Sequence, residues 1–301
     1  MKAIFIDCNP QLGAVWKRVY RADDPPVTVN ETPFEKDDLP RVIGDHEIVI
    51  DDHSYMPTDL VRQSKYLKHI VFLGTGAASY MNVAELEAIG VKVHTIKGYG
   101  DTAVAEQTIA LMMAACRDLA RMDRNIRAGT WAPLEGVQVF GKTLGVIGMG
   151  GIGAEVARIA KGMGMQVIAW NRTKRPDAGV AVVELDELLQ RSDIVSLNLL
   201  LNDETRGFLD GARIARMKPG AILVNTARGA LVDEAAMIEA LKSGHIRHAG
   251  LDVFHNEPLK PDHPLTRVEN VTLSAHAAFR TLEASMTLLR RAIDIVERVQ
   301  H

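Results

Sequence analysis

Along the first hundred residues, short apolar runs alternate with stretches of helical period. Runs at residues 3–6, 27–29, 47–50, 70–73 and 91–95 predict strands, and helices are predicted near 11–19, 57–64 and 83–89. Such alternation predicts a parallel sheet flanked by helices, in which ligands lie beyond the carboxyl ends of the strands.

The pattern then changes. After Gly98-Tyr-Gly-Asp-Thr102, residues 103–119 are apolar on nearly every helical face, with Asp101 or Thr102 as the predicted N-cap. A helix of that kind should be buried on every face, between domains or between subunits. Gly98 and Gly100 mark either a hinge or an ordinary loop.

Strand and helix alternation resumes at Thr143. Residues 144–147 predict a strand, 152–163 a helix ended by Gly164, and 166–170 a second strand, which together make a βαβ unit. Further strands are predicted at 193–197, 221–225, 248–252 and 270–274, with helices near 210–217 and 234–243 and Asp233 as an N-cap. The tail, 281–299, places apolar residues at 288, 289, 292, 293, 296 and 299, and predicts an amphipathic helix that returns to the first domain.

Composition adds bounds. The chain has 301 residues, a length suited to two domains. A net charge of −3 gives no global basic field for nucleic acid or an anionic membrane. No apolar run approaches the roughly 18 residues of a membrane span, and the N-terminus lacks a signal-peptide pattern. Cys8 and Cys116 lie in apolar stretches and read as small buried hydrophobes rather than a disulfide framework. A cytoplasmic enzyme or binding protein is the expectation, with no metal ligand set assigned.

Chemistry enters at the turn after residue 147. Gly148, Gly150 and Gly153 fit G-x-G-x-x-G, and with Gly151 and Ile152 they would open a helix whose free N–H groups face a pyrophosphate. An acidic residue is expected at the tip of the next strand, to accept from the adenosine ribose. The chain has Asn171-Arg172-Thr173-Lys174-Arg175 there. Without the carboxylate a 2′-phosphate is not repelled, and Arg172 with Lys174 or Arg175 would pair with it, which predicts NADP(H) over NAD(H). The alternative is a set of solvated loop cations, with Asn171 bonding a ribose.

Three residues past strand ends complete a possible reaction site: Arg228, Glu257 and His276. Hydride transfer to a ketone leaves charge on the carbonyl oxygen, which an imidazolium can protonate. A carboxylate on the other ring nitrogen would orient the ring and favour its protonated form. A guanidinium can hold a neighbouring carboxylate by two parallel bonds and polarise the carbonyl. The loop Gly74-Thr75-Gly76 reads as a small-carboxylate site or as a tight turn.

In the runs Gly148-Met-Gly-Gly-Ile-Gly153, Lys218-Pro-Gly-Ala-Ile-Leu-Val-Asn-Thr-Ala-Arg-Gly-Ala-Leu-Val-Asp233, Gly250-Leu-Asp-Val-Phe254 with Glu257-Pro258, and Ser274-Ala-His276, the chain resembles the D-isomer-specific 2-hydroxyacid dehydrogenases. The resemblance implies two doubly wound α/β domains, Rossmann-like or flavodoxin-like, with parallel sheets and a cleft between them. Residues 1–98 and 279–301 would form a discontinuous substrate domain, and 99–278 the dinucleotide domain. It further implies His276 as acid/base, Glu257 as its partner and Arg228 as substrate anchor. Thr102, Thr226, Ala227 and Asp252, with Arg228 and His276, would line the cofactor. Gly74, Thr75 and Gly76 would bind the substrate carboxylate, and the long helix would join a homodimer interface.

The implied activity is NAD(P)H-dependent reduction of a small 2-keto acid such as glyoxylate or hydroxypyruvate. Alternatives are a 3-phosphoglycerate dehydrogenase type of enzyme and a non-catalytic NAD(P)-binding regulator. The chain departs from the family at 77–80, where Ala-Ala-Ser-Tyr replaces an acidic or amide residue, and at Asn198 and Leu200, which replace a histidine and a proline. Arg280 either binds a second anionic group or caps the tail helix in solvent.

Overall fold

The computed structural model describes residues 1–173 and 179–300, so Lys174 and Arg175 lie outside the described residues. The chain divides into two compact units, Met1–Gly100 with Arg280–His301, and Asp101–Phe279. In chain order the first unit contains β1 (Ala3–Phe5), α1 (Pro10–Val19), β2 (Val27–Val29), α2 (Leu39–Ile43), β3 (Ile48–Asp51), α3 (Thr58–Val61), β4 (His69–Phe72), α4 (Val83–Ala88) and β5 (Lys92–Thr95). The second contains α5 (Asp101–Cys116), α6 (Leu119–Arg127), β6 (Thr143–Ile147), α7 (Gly151–Gly162), β7 (Gln166–Trp170), β8 (Ala181–Val182), α8 (Leu185–Arg191), β9 (Ile194–Leu197), α9 (Gly211–Arg216), β10 (Ala221–Asn225), α10 (Glu234–Ser243), β11 (Ile246–Leu251) and β12 (Val271–Leu273). The tail helix α11 (Leu282–Gln300) belongs to the first unit.

Among the described residues each unit has one parallel sheet. The first runs β2-β1-β3-β4-β5, the flavodoxin-like order. Alternation along each strand splits its core in two. Phe5, Ile48, Ile50 and Val71 pack with Trp16 of α1 and with Leu288, Leu289, Ile293 and Val296 of α11. Ile4, Ile6, Val49 and Ile70 face the other way, onto Leu39, Ile43 and Leu86. Burial on both faces is why these strands read as continuous apolar runs.

The second sheet runs β12-β11-β10-β9-β6-β7-β8. Counted within the unit this is 3-2-1-4-5-6 with a seventh strand added, the Rossmann order. Leu144 and Val146 of β6 pack toward α5 and α7, while Val195, Leu197 and Leu223 pack toward α8, α9 and α10. Asp233 caps α10, accepting from the Ala236 N–H at 3.0 Å, and Gly164 (φ +78°) follows α7.

Several elements differ from the sequence expectation. The long apolar helix does not reach Leu119: α5 ends at Cys116, Asp118 takes the left-handed conformation (φ +52°), and α6 begins after it. Aspartate is among the few residues that tolerate that region, so an apolar pattern running through it gives no warning. Asp101 and Thr102 lie inside the first turn of α5 rather than capping it. Nor is α5 buried all round: Ala105, Leu111, Met112 and Ala115 are buried, whereas Ala110 is exposed and Met113 only half-buried.

The helix expected at 57–64 is the single turn α3, followed by hydrogen-bonded turns through Ser64. The elements α2, α8 and β8 hold five, seven and two residues, too few for a period to be read from sequence, and α6 went unpredicted. Cys8 lies past the end of β1, and both cysteines are buried, which pushes each thiol up to about 11.

Candidate active site

Because every strand of the second sheet is parallel, all its carboxyl ends share one edge, and the strand order reverses at β6. That edge carries the Gly148 turn after β6, Asn171 after β7, Asn198 after β9, the loop Thr226-Ala227-Arg228 after β10, Asp252 after β11 and His276 after β12. The fold thus collects residues separated by up to 128 positions in sequence, from Gly148 to His276.

The glycine turn has both a packing constraint and an open side. A Cβ on Gly153 would lie 2.0 Å from the Gly148 carbonyl oxygen, so only glycine lets α7 start against the turn. Among the described residues a Cβ on Gly150 would meet nothing within 4 Å, and no side chain caps α7, whose N-cap is Gly150. The first turn of α7 holds no acidic residue. The positive end of a twelve-residue helix therefore lies without a side-chain cap beside Gly150, Gly151 and Ile152. The Oδ1 of Asn171 accepts from the Met149 N–H at 3.1 Å, tying the tip of β7 to this turn. At the end of β9, Asn198 donates to the Ser196 carbonyl and hydroxyl, and its buried Oδ1 has no partner among the described residues.

His276 and Glu257 meet at the same edge. Nδ1 of His276 is 2.6 Å from Oε2 of Glu257, and Oε1 of Glu257 accepts from the Phe254 N–H at 2.9 Å. Burial pushes the Glu257 carboxyl up. The His276 and Phe254 donors, with the charges of His276 and Arg228, outweigh it and hold the carboxyl below the ordinary glutamate value. The carboxylate is therefore the acceptor, Nδ1 carries the hydrogen, and Nε2 is left for another partner. The two side chains keep 29% and 33% of their surface exposed, so a ligand can reach them.

The loop bearing His276 is fixed from beneath. Asp252 is 0% exposed, and its carboxylate accepts from the Ser274 hydroxyl and from the N–H groups of Ala277 (3.0 Å) and Ala278 (2.9 Å). Its carbonyl accepts from the His276 N–H at 2.7 Å. These bonds hold His276 in the left-handed region, φ +48°, where a non-glycine residue is strained. Both oxygens of Asp252, expected beside a cofactor, are thus engaged within the protein.

The Arg228 loop is built similarly by a residue that sequence reading passed over. Asn225 is buried, donates to the Arg228 carbonyl and accepts from the Ala227 N–H, both at 3.0 Å. Its signal was a polar residue ending an apolar strand. Thr226 lies 2.7 Å from the Thr108 hydroxyl, which itself donates to the Val104 carbonyl, so Thr226 is the donor of that pair. Thr102 is exposed at the start of α5.

In the first unit, the Gly74 N–H is taken up by the Phe72 carbonyl at 2.8 Å. Among the described residues no hydrogen bond takes the N–H of Thr75 or Gly76. Near that loop lies a cluster that the sequence reading missed. Asp7 accepts from the N–H groups of Asp52, His53 and Ser54, and from the Ser54 hydroxyl. His53 pairs with Asp52 at 2.8 Å and packs edge-on against Tyr80. Full burial, with the Asp7 carboxylate facing it, pushes the Asp51 carboxyl well above the ordinary range.

Comparison with known proteins gives one consistent picture. A family model described as "D-isomer specific 2-hydroxyacid dehydrogenase, NAD binding domain" matches residues 109–278. The chain is 44% identical over 214 residues to a glyoxylate reductase of Korarchaeum cryptofilum, covering 67% of this chain and 64% of that relative. It is 36% identical over 277 residues to a hydroxypyruvate reductase of Thermotoga maritima, covering 90% of this chain and 89% of the relative. The crystal structure of the TT0316 protein from Thermus thermophilus superposes with a TM-score of 0.89 at 31% identity, over 100% of this chain and 97% of that one.

Proposed function

The chain belongs to the D-isomer-specific 2-hydroxyacid dehydrogenases, nicotinamide-linked enzymes acting on a CH–OH group, and from that membership we propose that it reduces small 2-keto acids of the glyoxylate or hydroxypyruvate kind, with NADPH as the preferred reductant. The observation that carries this reading is the His276–Glu257 pair on the same sheet edge as the glycine turn.

The residues present fit a dinucleotide. The side of the turn at Gly150 is open, the start of α7 has no side-chain cap, and the orphaned Asn198 Oδ1 offers an acceptor at the switch point. When bound, the nicotinamide supplies the hydride. The chain's own residues do the rest. His276 holds a proton at Nε2 for the carbonyl oxygen, and Glu257 fixes the ring through Nδ1 and stabilises the imidazolium. Arg228 binds the substrate carboxylate and polarises the carbonyl. The Thr75 and Gly76 N–H groups of the first unit are assigned to a small carboxylate, and Thr226 and Ala227 to the cofactor side. On this reading the two compact units are the substrate and dinucleotide domains, and Asp252 serves the cofactor region by fixing the His276 loop.

The cofactor preference rests on the tip of β7. Asn171 offers a ribose no carboxylate, its Oδ1 is tied to Met149, and Arg172 follows with a guanidinium suited to a 2′-phosphate. A homodimer completes the proposal. Leu119, Ile126, Trp131 and Phe140 lie on one segment after α5 and are 51%, 59%, 87% and 69% exposed.

A screen of 2-keto acids with NADPH and NADH, followed by reduced-nicotinamide absorbance, tests the whole reading. Turnover of glyoxylate or hydroxypyruvate that is lost in His276→Ala is the expected result. Retained turnover in that variant overturns the proposed acid, and cofactor binding without turnover on any 2-keto acid points to a regulator instead.

A further inference from the structure

We propose that Glu204 sets the chain's selectivity between NADPH and NADH by competing with the 2′-phosphate for Arg172. This rests on the reading above that Arg172 receives that phosphate, and adds a residue to which the sequence reading gave no role.

Arg172 is already engaged: its Nη1 is ion-paired with Oε2 of Glu204, from the loop after β9. Both ends of the pair are held by local structure. On one side, Asn171 accepts from Met149 at 3.1 Å and donates to the Thr173 carbonyl at 2.7 Å, which fixes the backbone around Arg172. On the other, Glu204 sits inside a closed turn. Thr205 accepts from the Asn202 N–H at 2.8 Å, donates its own N–H to Asn202 Oδ1 at 3.0 Å, and gives its hydroxyl to the Leu200 carbonyl at 2.7 Å. The Arg206 N–H closes the turn on the Asn202 carbonyl at 2.9 Å.

The consequence is a carboxylate at the ribose end of the site, delivered from a different strand. In the usual arrangement an acid at the tip of the second strand accepts from the 2′-hydroxyl and excludes a 2′-phosphate. Here the tip is an amide, and the acid reaches the region through its pairing with Arg172. A 2′-phosphate must take Arg172 from Glu204 before it can pair with the guanidinium. A 2′-hydroxyl leaves the ion pair as it is. Glu204 thus lowers affinity for the phosphorylated cofactor and is indifferent to the other.

The test is direct binding of NADPH and NADH to the full chain by fluorescence titration at fixed ionic strength, which needs no substrate. Glu204→Gln keeps the shape and removes the charge at an exposed position. It should tighten NADPH about fivefold, the scale of one exposed ion pair, and leave NADH unchanged. Arg172→Ala should weaken NADPH, and adding Glu204→Gln to it should have no further effect. If Arg172→Ala weakens NADPH but Glu204→Gln does nothing or also weakens it, the competition is wrong and the cofactor reading survives. If Arg172→Ala leaves NADPH unchanged, both fall. A Glu204→Gln gain that persists in the Arg172→Ala background overturns the competition as well.

Discussion

Nδ1 of His276 stands 2.6 Å from Oε2 of Glu257 while the histidine's own backbone sits at φ +48°. The strained backbone and the short bond go together: the Asp252 hydrogen bonds hold the loop in a conformation the histidine would otherwise leave, and that conformation delivers the ring to the carboxylate.

Glu257→Gln keeps a hydrogen-bond acceptor and removes the charge. It should lower kcat less than His276→Ala, which loses at least about 100-fold, the usual contribution of a positioned acid. Steady-state kcat on both variants decides this; an unchanged kcat in Glu257→Gln would count against the pairing.

Stability should carry the same pair's signature. Because the Glu257 carboxyl in the folded chain titrates below its unfolded value of 4.5, its contribution is complete above that value and disappears as pH falls through the lowered one. The Tm of wild type should exceed that of Glu257→Gln at neutral pH, and the gap should close in acid. Thermal melts across that range check it, and a gap that widens in acid reverses the sign.

Gly150 and Gly153 separate binding from folding. Gly153→Ala drives a Cβ to 2.0 Å from a backbone oxygen and should lower Tm clearly. Gly150→Ala meets nothing among the described residues, so its Tm should hold while dinucleotide affinity drops about tenfold or more. Melting curves and cofactor titrations on the two variants would show opposite patterns.

Asp252→Ala strips a buried acceptor from the Ser274 hydroxyl and two backbone N–H groups. The expected loss is about 2–4 kcal/mol by denaturant unfolding, because hydrogen bonds to a charged group are the strong ones and their donors are left buried. A near-neutral result would mean that the loop has another anchor.

Trp131→Glu places a charge on a side chain that is 87% exposed in the isolated chain. Sedimentation should show a dimer for wild type and a monomer for the variant. A wild-type monomer would remove the proposed interface.

The sequence by itself determined the alternating strands and helices and the glycine turn, and it singled out His276, Glu257 and Arg228 as candidates. Those signals are local: apolar strands buried on both faces, a turn that only glycine satisfies, and residue types whose chemistry is in their side chains. It could not supply the break at Asp118, because an apolar pattern carries no record of a left-handed residue. Nor could it supply Asn225, the hydrogen bonds by which Asp252 ties loops together across strands, or the meeting of Arg172 with Glu204 across 32 residues. Those were decided by the order β7-β6-β9-β10-β11-β12, which sets distant strand ends side by side along one edge. Tertiary structure alone decides which polar side chains are taken up by the protein and which are left facing a ligand, because that depends on neighbours the linear pattern does not contain.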